Sequence, residues 1–143
     1  MNSLFCVGVQ VILAREGKIL LCLRKNVFGA GHWSLPGGRL EKGETIQECG
    51  IREMREELAV NVVELAFAGV ASPVAENNFH LQICMLATQW DGEPLNIEPQ
   101  KCEALGFFST SDLPSNTFPA SSPFLAILDR ILEARSALKS LIP

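Results

Sequence analysis

The 143-residue chain carries 12 Lys and Arg against 16 Asp and Glu, a formal net charge of −4, with 48% hydrophobic and 20% charged residues. That length suits a single domain, residues 1–143, with a core that needs neither metal nor disulfide staples. The acidic balance excludes the broad basic face that a nucleic-acid polymer requires, yet leaves room for a nucleotide beside a bound cation. Five cysteines, at positions 6, 22, 49, 84 and 102, show no CxxC or other metal-ligand spacing and are expected as reduced thiols in a cytoplasmic protein. The longest apolar run, residues 4–14, is interrupted by Gln10 and too short to span a bilayer; no positively charged leader precedes it, so neither a membrane partner nor export is expected.

Residues 5–14 and 18–24 are rich in Val, Ile, Leu and Cys, flank Arg15-Glu16-Gly17, and predict a hairpin of two largely buried strands. Residues 26–34, with Gly29, Gly31 and a lone Trp33, predict an exposed loop leading into Leu35-Pro36-Gly37-Gly38. Thr45 is placed to cap a helix running to about Leu58, with Glu48 three residues on as in a capping box. Ile46, Cys49, Met54 and Leu58 give that helix an apolar side. Strands are expected over residues 61–72 and 79–90, separated by a turn at 73–78. Residues 91–102, with Gly92, Pro94 and Pro99, predict a loop, and 104–108 a short strand. After a Pro- and Ser-rich connector at 115–122, Ser122 is the expected cap of a last helix striped by Phe124, Ile127, Leu128, Ile131 and Leu132. Strands, helix, strands and helix in that order imply an α+β fold with a mixed sheet between helices.

Glu53, Glu56 and Glu57 stand at i, i+3 and i+4, so a helix points all three carboxylates the same way. Like charges at this spacing repel by roughly 0.2–0.5 kcal/mol each, which predicts a cation between them. Hard divalent ions such as Mg²⁺ take carboxylate and phosphate oxygens. The alternative is an ordinary solvated helix salt-bridged through Arg52 and Arg55.

Gly38-x5-Glu44-x7-Arg52-Glu53-Met54-x-Glu56-Glu57-x-Ala59-Val60 resembles the Nudix box, the signature of hydrolases of nucleoside diphosphates linked to another group. Ala59 departs from it: the box usually has Gly there, at a helix end where Gly relieves backbone strain. Arg24-Lys25, Gly29-Ala30-Gly31, Leu35-Pro36-Gly37-Gly38, Phe79-His80 and Glu98-Pro99-Gln100-Lys101-Cys102-Glu103 extend the resemblance over nearly all of residues 4–132. They are similar to the MutT-type branch, notably nucleoside triphosphate diphosphatases of the human type-15 class.

The resemblance implies an α/β/α sandwich, a nucleoside triphosphate substrate cleaved to monophosphate and pyrophosphate, Mg²⁺ with Mn²⁺ as a substitute, and a homodimer. By the same resemblance Glu53, Glu56 and Glu57 hold metal and Arg52 orients a glutamate. Glu53 and Glu56 are the candidates for the base, and sequence does not divide the role between them because coupled carboxylates titrate as a set. Gly37 offers its carbonyl to metal, Gly37 and Gly38 border the substrate, Arg24 meets phosphate and Leu35 lines the pocket. Glu103, which precedes the 104–108 strand, is the candidate for a further metal ligand from outside the box, with Glu98 the runner-up. His32 and His80 are expected to be ordinary histidines, and Trp33 and Phe124 core or interface aromatics rather than base-stacking ones. Two other functions fit the same box: hydrolysis of nucleoside diphosphate sugars or dinucleoside polyphosphates, and a catalytically silent nucleotide-binding module.

Overall fold

The computed structural model describes residues 6–72 and 80–141, and in it the first apolar run divides between two sheets. β1 (Cys6–Ile12) pairs antiparallel with β5 (Gly37–Arg39) and parallel with β7 (His80–Asp91); β6 (Asn61–Ala71) runs antiparallel to β7. The result is a mixed sheet in the order β5-β1-β7-β6. Past Leu13 the chain enters a second sheet. There β3 (Lys18–Arg24) pairs along its length with β8 (Cys102–Ser109), and at its ends with β2 (Ala14–Arg15) and β4 (Trp33–Ser34).

The expected hairpin is therefore corrected to β2 and β3 alone. Glu16 and Gly17, at φ 53° and 75°, form its two-residue turn, the left-handed pair that matches strand twist. An apolar run buried on both faces carries no periodicity to show where it leaves one sheet for the other.

Along β1 the side chains alternate. Val9 and Val11 face α1 (Ile46–Leu58), packing in clusters that include Cys49, Met54 and Met85. Ile12 faces the other way, where Cys84 and Leu86 meet Phe124, Leu125 and Leu128 of α2 (Ser122–Leu125) and α3 (Leu128–Leu141). The mixed sheet thus lies between helices, as the element order implied.

Thr45 caps α1 as expected: its Oγ1 accepts from Glu48 N at 3.1 Å. At the other end Ala59 adopts φ 56°, ψ 31°, a left-handed conformation in which its N–H returns to Arg55 O and Val60 N–H to Met54 O. A Cβ in that region costs roughly 1–2 kcal/mol. Ala59→Gly is therefore expected to raise stability by about 1 kcal/mol in a denaturant titration, with activity unchanged; a destabilised variant would refute the strain.

The last helix differs from expectation. Ser121, not Ser122, is its N-cap, and the helix breaks after Leu125, leaving Ile127 37% exposed while Phe124 and Leu128 are buried. The apolar stripe alone does not reveal this break; ahead of it, Phe118 N–H donates to Trp33 O at 2.7 Å. Cys22 and Cys102, 80 residues apart, form a disulfide with Cα atoms 6.0 Å apart, so the expectation of five reduced thiols is corrected at this pair. Cys6, Cys49 and Cys84 are free. Only the antiparallel docking of β8 on β3 brings the paired cysteines together. Among the described residues no helix is long and apolar enough to cross a membrane. The turn expected at 73–78, and Phe79, lie outside the described residues.

Candidate active site

The carboxylate face of α1 lies against the Gly37–Arg39 strand, and Arg52 organises it. Its Nε and Nη2 grip Glu44 at 2.9 and 2.7 Å, its Nη1 reaches Glu53 at 2.8 Å and Glu56 at 3.2 Å, and Nη2 also donates to Arg39 O at 3.0 Å. The two-pronged grip suits guanidinium geometry and holds the Glu44 carboxyl down at about 2, chiefly by hydrogen bonding to Arg52. Sequence reasoning assigned Arg52 an orienting role and missed Glu44 as its anchor; the box spacing was the available signal.

Glu57 is the deepest of the three stacked glutamates. It accepts from Gly37 N–H at 3.3 Å, and burial, then the charges of Glu53 and Glu98, push its carboxyl up to about 8. Burial also raises Glu53 against the opposing pull of Arg52. Glu56 is more open, its side chain 58% exposed. Gly38 matters sterically, since any Cβ there would collide with the Glu53 carboxylate.

A cleft of about 380 Å³ collects Glu53, Glu56, Glu57, Glu98, Arg24 and Lys101. The loop bearing Glu98 is docked on the end of α1: Leu95 N–H donates to Leu58 O at 2.9 Å and Ile97 N–H to Glu57 O at 3.1 Å, satisfying carbonyls that a helix end leaves free. Glu98 therefore reaches the cleft, whereas Glu103 is exposed on β8 and lines neither this cleft nor the pocket beside it. Of the two candidates for the outside ligand, the structure brings only Glu98 to the box.

As arranged, no three His, Cys, Asp or Glu side chains among the described residues converge on one point able to hold a metal; the carboxylates turn to Arg52, to Gly37 and to one another. The donor set nevertheless fits a hard cation. Its side-chain donors are carboxylate oxygens, and the upward push on Glu57 from Glu53 and Glu98 is negative charge that a cation would relieve.

Beside the cleft lies a second cavity of about 340 Å³, sharing Arg24, Leu35, Gly37, Gly38 and Arg39 with it. Its aromatic members are Phe28, 73% exposed, and Phe118, which meet edge-on with ring centroids 5.8 Å apart. Arg24 lies over Phe118 at 4.3 Å and donates from Nε to Phe28 O at 2.7 Å. Desolvation lowers the Arg24 pKa, and Glu57 opposes it. Leu35 is buried at the seam of the two cavities. Phe124 is core, Trp33 packs edge-on with Phe108, and His32 is exposed, all as expected. For base specificity the sequence points to Leu35, the 79–85 strand and the segment leading to Phe124, but it singles out none of Phe28, Phe118, Gln10, Gln82 and Ser121, which only the fold juxtaposes.

Comparisons with known proteins agree with this geometry. A NUDIX domain model matches residues 4–128. The chain is similar to the ADP-ribose pyrophosphatase of Methanocaldococcus jannaschii, 34% identical over 113 residues, 78% of this chain and 66% of that protein. It is also similar to the NAD-capped RNA hydrolase NudC of Chromobacterium violaceum, 32% identical over 112 residues, 78% of this chain and 41% of that one. The chain thus spans less than two thirds of the length of these relatives. The crystal structure of a MutT NUDIX hydrolase from Burkholderia pseudomallei superposes with a TM-score of 0.82 at 32% identity, covering 87% of this chain and 98% of its own. With the box glutamates Glu53, Glu56 and Glu57 on α1 and the match extending over both cavities, the chain belongs to the Nudix family, in its MutT-type hydrolase branch.

Proposed function

We propose that the protein is a Mg²⁺-dependent nucleoside triphosphate diphosphatase that releases nucleoside monophosphate and pyrophosphate. The observation that carries this is the overlap of the two cavities at Arg24, Leu35 and Gly37, which sets a partly aromatic pocket suited to one nucleoside directly beside a carboxylate cleft. Nudix hydrolases generally use divalent metals. Glu53, Glu56, Glu57 and Glu98, with the Gly37 carbonyl, are the groups to hold Mg²⁺, which when bound neutralises phosphate charge and eases deprotonation of the attacking water.

Arg24, at the junction, holds a phosphate while its guanidinium stays packed on Phe118. Water adds to an internal phosphorus, the bond from that phosphorus to the departing pyrophosphate breaks, and the water's proton passes to Glu53 or Glu56. Arg52 keeps those carboxylates in place without touching substrate. The test is a screen of ribo- and deoxyribonucleoside triphosphates, oxidised and methylated bases included, with pyrophosphate and phosphate measured separately. Mg²⁺-dependent pyrophosphate release is expected, and phosphate release alone would reject the cleavage position.

A second reading, hydrolysis of a nucleoside diphosphate joined to another group, is favoured by the similarity to the ADP-ribose pyrophosphatase. Turnover of nucleoside diphosphate sugars with none of any triphosphate would establish it. The silent-module alternative is disfavoured because Glu53, Glu56 and Glu57 are all present and gathered in the cleft.

A further inference from the structure

The wall of the second cavity contains three buried polar side chains that the hydrolytic chemistry does not use: Gln10, Gln82 and Ser121, at 6%, 8% and 0% exposure. They form one directed chain of hydrogen bonds. Leu35 N–H donates to Ser121 Oγ at 3.0 Å, and Ser121 Oγ donates to Gln10 Oε1 at 2.7 Å. Gln10 Nε2 donates to Ala120 O at 2.7 Å and to Gln82 Oε1 at 2.9 Å.

Both ends of this chain have only one chemical polarity. A backbone N–H cannot accept and a carbonyl cannot donate, so the Gln10 amide has a single orientation. Gln82 must then turn its oxygen to Gln10, which leaves its NH₂ with no hydrogen-bond partner among the described residues. Gly8, paired with Gln82 across β1 and β7, makes room: a Cβ there would stand 2.6–2.9 Å from the atoms of the Gln82 amide. Gly8 and Gln82 both line the cavity.

We propose that Gln82 is a specificity-determining residue, whose NH₂, oriented through Gln10 and Ser121, selects nucleobases carrying a ring keto oxygen over their amino counterparts. This rests on the cavity being the nucleoside pocket. A keto oxygen accepts from the amide; an exocyclic amino group sets donor against donor and leaves both unpaired.

The test compares kcat/KM, with Mg²⁺, for inosine against adenosine triphosphate and for uridine against cytidine triphosphate. The keto member of the better-used pair is expected to lead by about 10- to 100-fold. Gln82→Glu places a carboxylate oxygen where the NH₂ stood and should reverse the preference; Gln82→Met should erase it. Melting curves confirm that the variants fold. A ratio near one in the unaltered protein, or an unchanged ratio in both folded variants, overturns the assignment. If no triphosphate is hydrolysed, the proposed reaction fails separately, and the same ratios are taken from calorimetric binding of inosine and adenosine monophosphates. There a keto preference lost in Gln82→Met supports the role of Gln82, and equal or absent binding overturns it.

Discussion

Glu57→Gln is expected to lower Mg²⁺-dependent pyrophosphate release by about 1,000-fold or more while leaving the protein folded. In the proposed reaction Glu57 is an oxygen ligand, whose loss removes several kcal/mol of transition-state charge stabilisation, and each 1.36 kcal/mol is about tenfold in rate. The fold should survive because the carboxylate is a burden on it. Burial and the charges of Glu53 and Glu98 already push Glu57 up to about 8, and a neutral amide of the same shape removes that repulsion. The melting temperature should hold or rise as activity vanishes, the pattern of a site retained for function at the expense of stability. Turnover within a few-fold of the unaltered protein would remove Glu57 from the machinery.

Arg52→Lys should follow, with activity reduced by about 10- to 100-fold, the usual loss when a group that orients metal ligands is replaced. The charge survives in this variant, so the effect isolates geometry. Lysine has one ammonium, which cannot reproduce the paired contacts to Glu44 while also reaching Glu53 and Glu56. Glu44→Gln breaks the same grip from the other side. The double variant should lose little more than the worse single one, since both act through one arrangement. Fully additive losses in kcat would mean that Arg52 acts on substrate directly instead of through Glu44.

What was legible in the sequence was local. The i, i+3, i+4 glutamates, the Thr45 cap and the left-handed position at Ala59 all fall within one helix and its ends, where spacing translates directly into geometry. Gly38 belongs to the box pattern, whereas Arg24, Leu35 and Gly37 come only from the resemblance beyond it; the structure places all four around the cleft. What remained hidden depends on register between distant strands. Gln10 and Gln82 are 72 residues apart and meet only because β1 runs parallel to β7, while Ser121 joins them from 111 residues beyond Gln10. Nothing in the periodicity near any of the three distinguishes a pocket wall from a core strand. The sequence favours Glu103, which precedes a strand, over Glu98; the backbone bonds of Leu95 and Ile97 to the end of α1 bring Glu98 to the cleft instead.

The seam between the two cavities has a further consequence for how such a protein diversifies. Gln10, Gln82 and residues 118–121 belong to one cavity, the stacked glutamates and Glu98 to the other, and the shared wall is a short stretch around Leu35–Arg39 with Arg24. Under the proposed reaction, substitutions on the first side are expected to change which nucleotide is admitted and to read as altered ratios between substrates. Those on the second are expected to slow every substrate alike. A lineage can thus exchange its preferred base without passing through an inactive ancestor, because choice and chemistry are inherited on separate strands and helices.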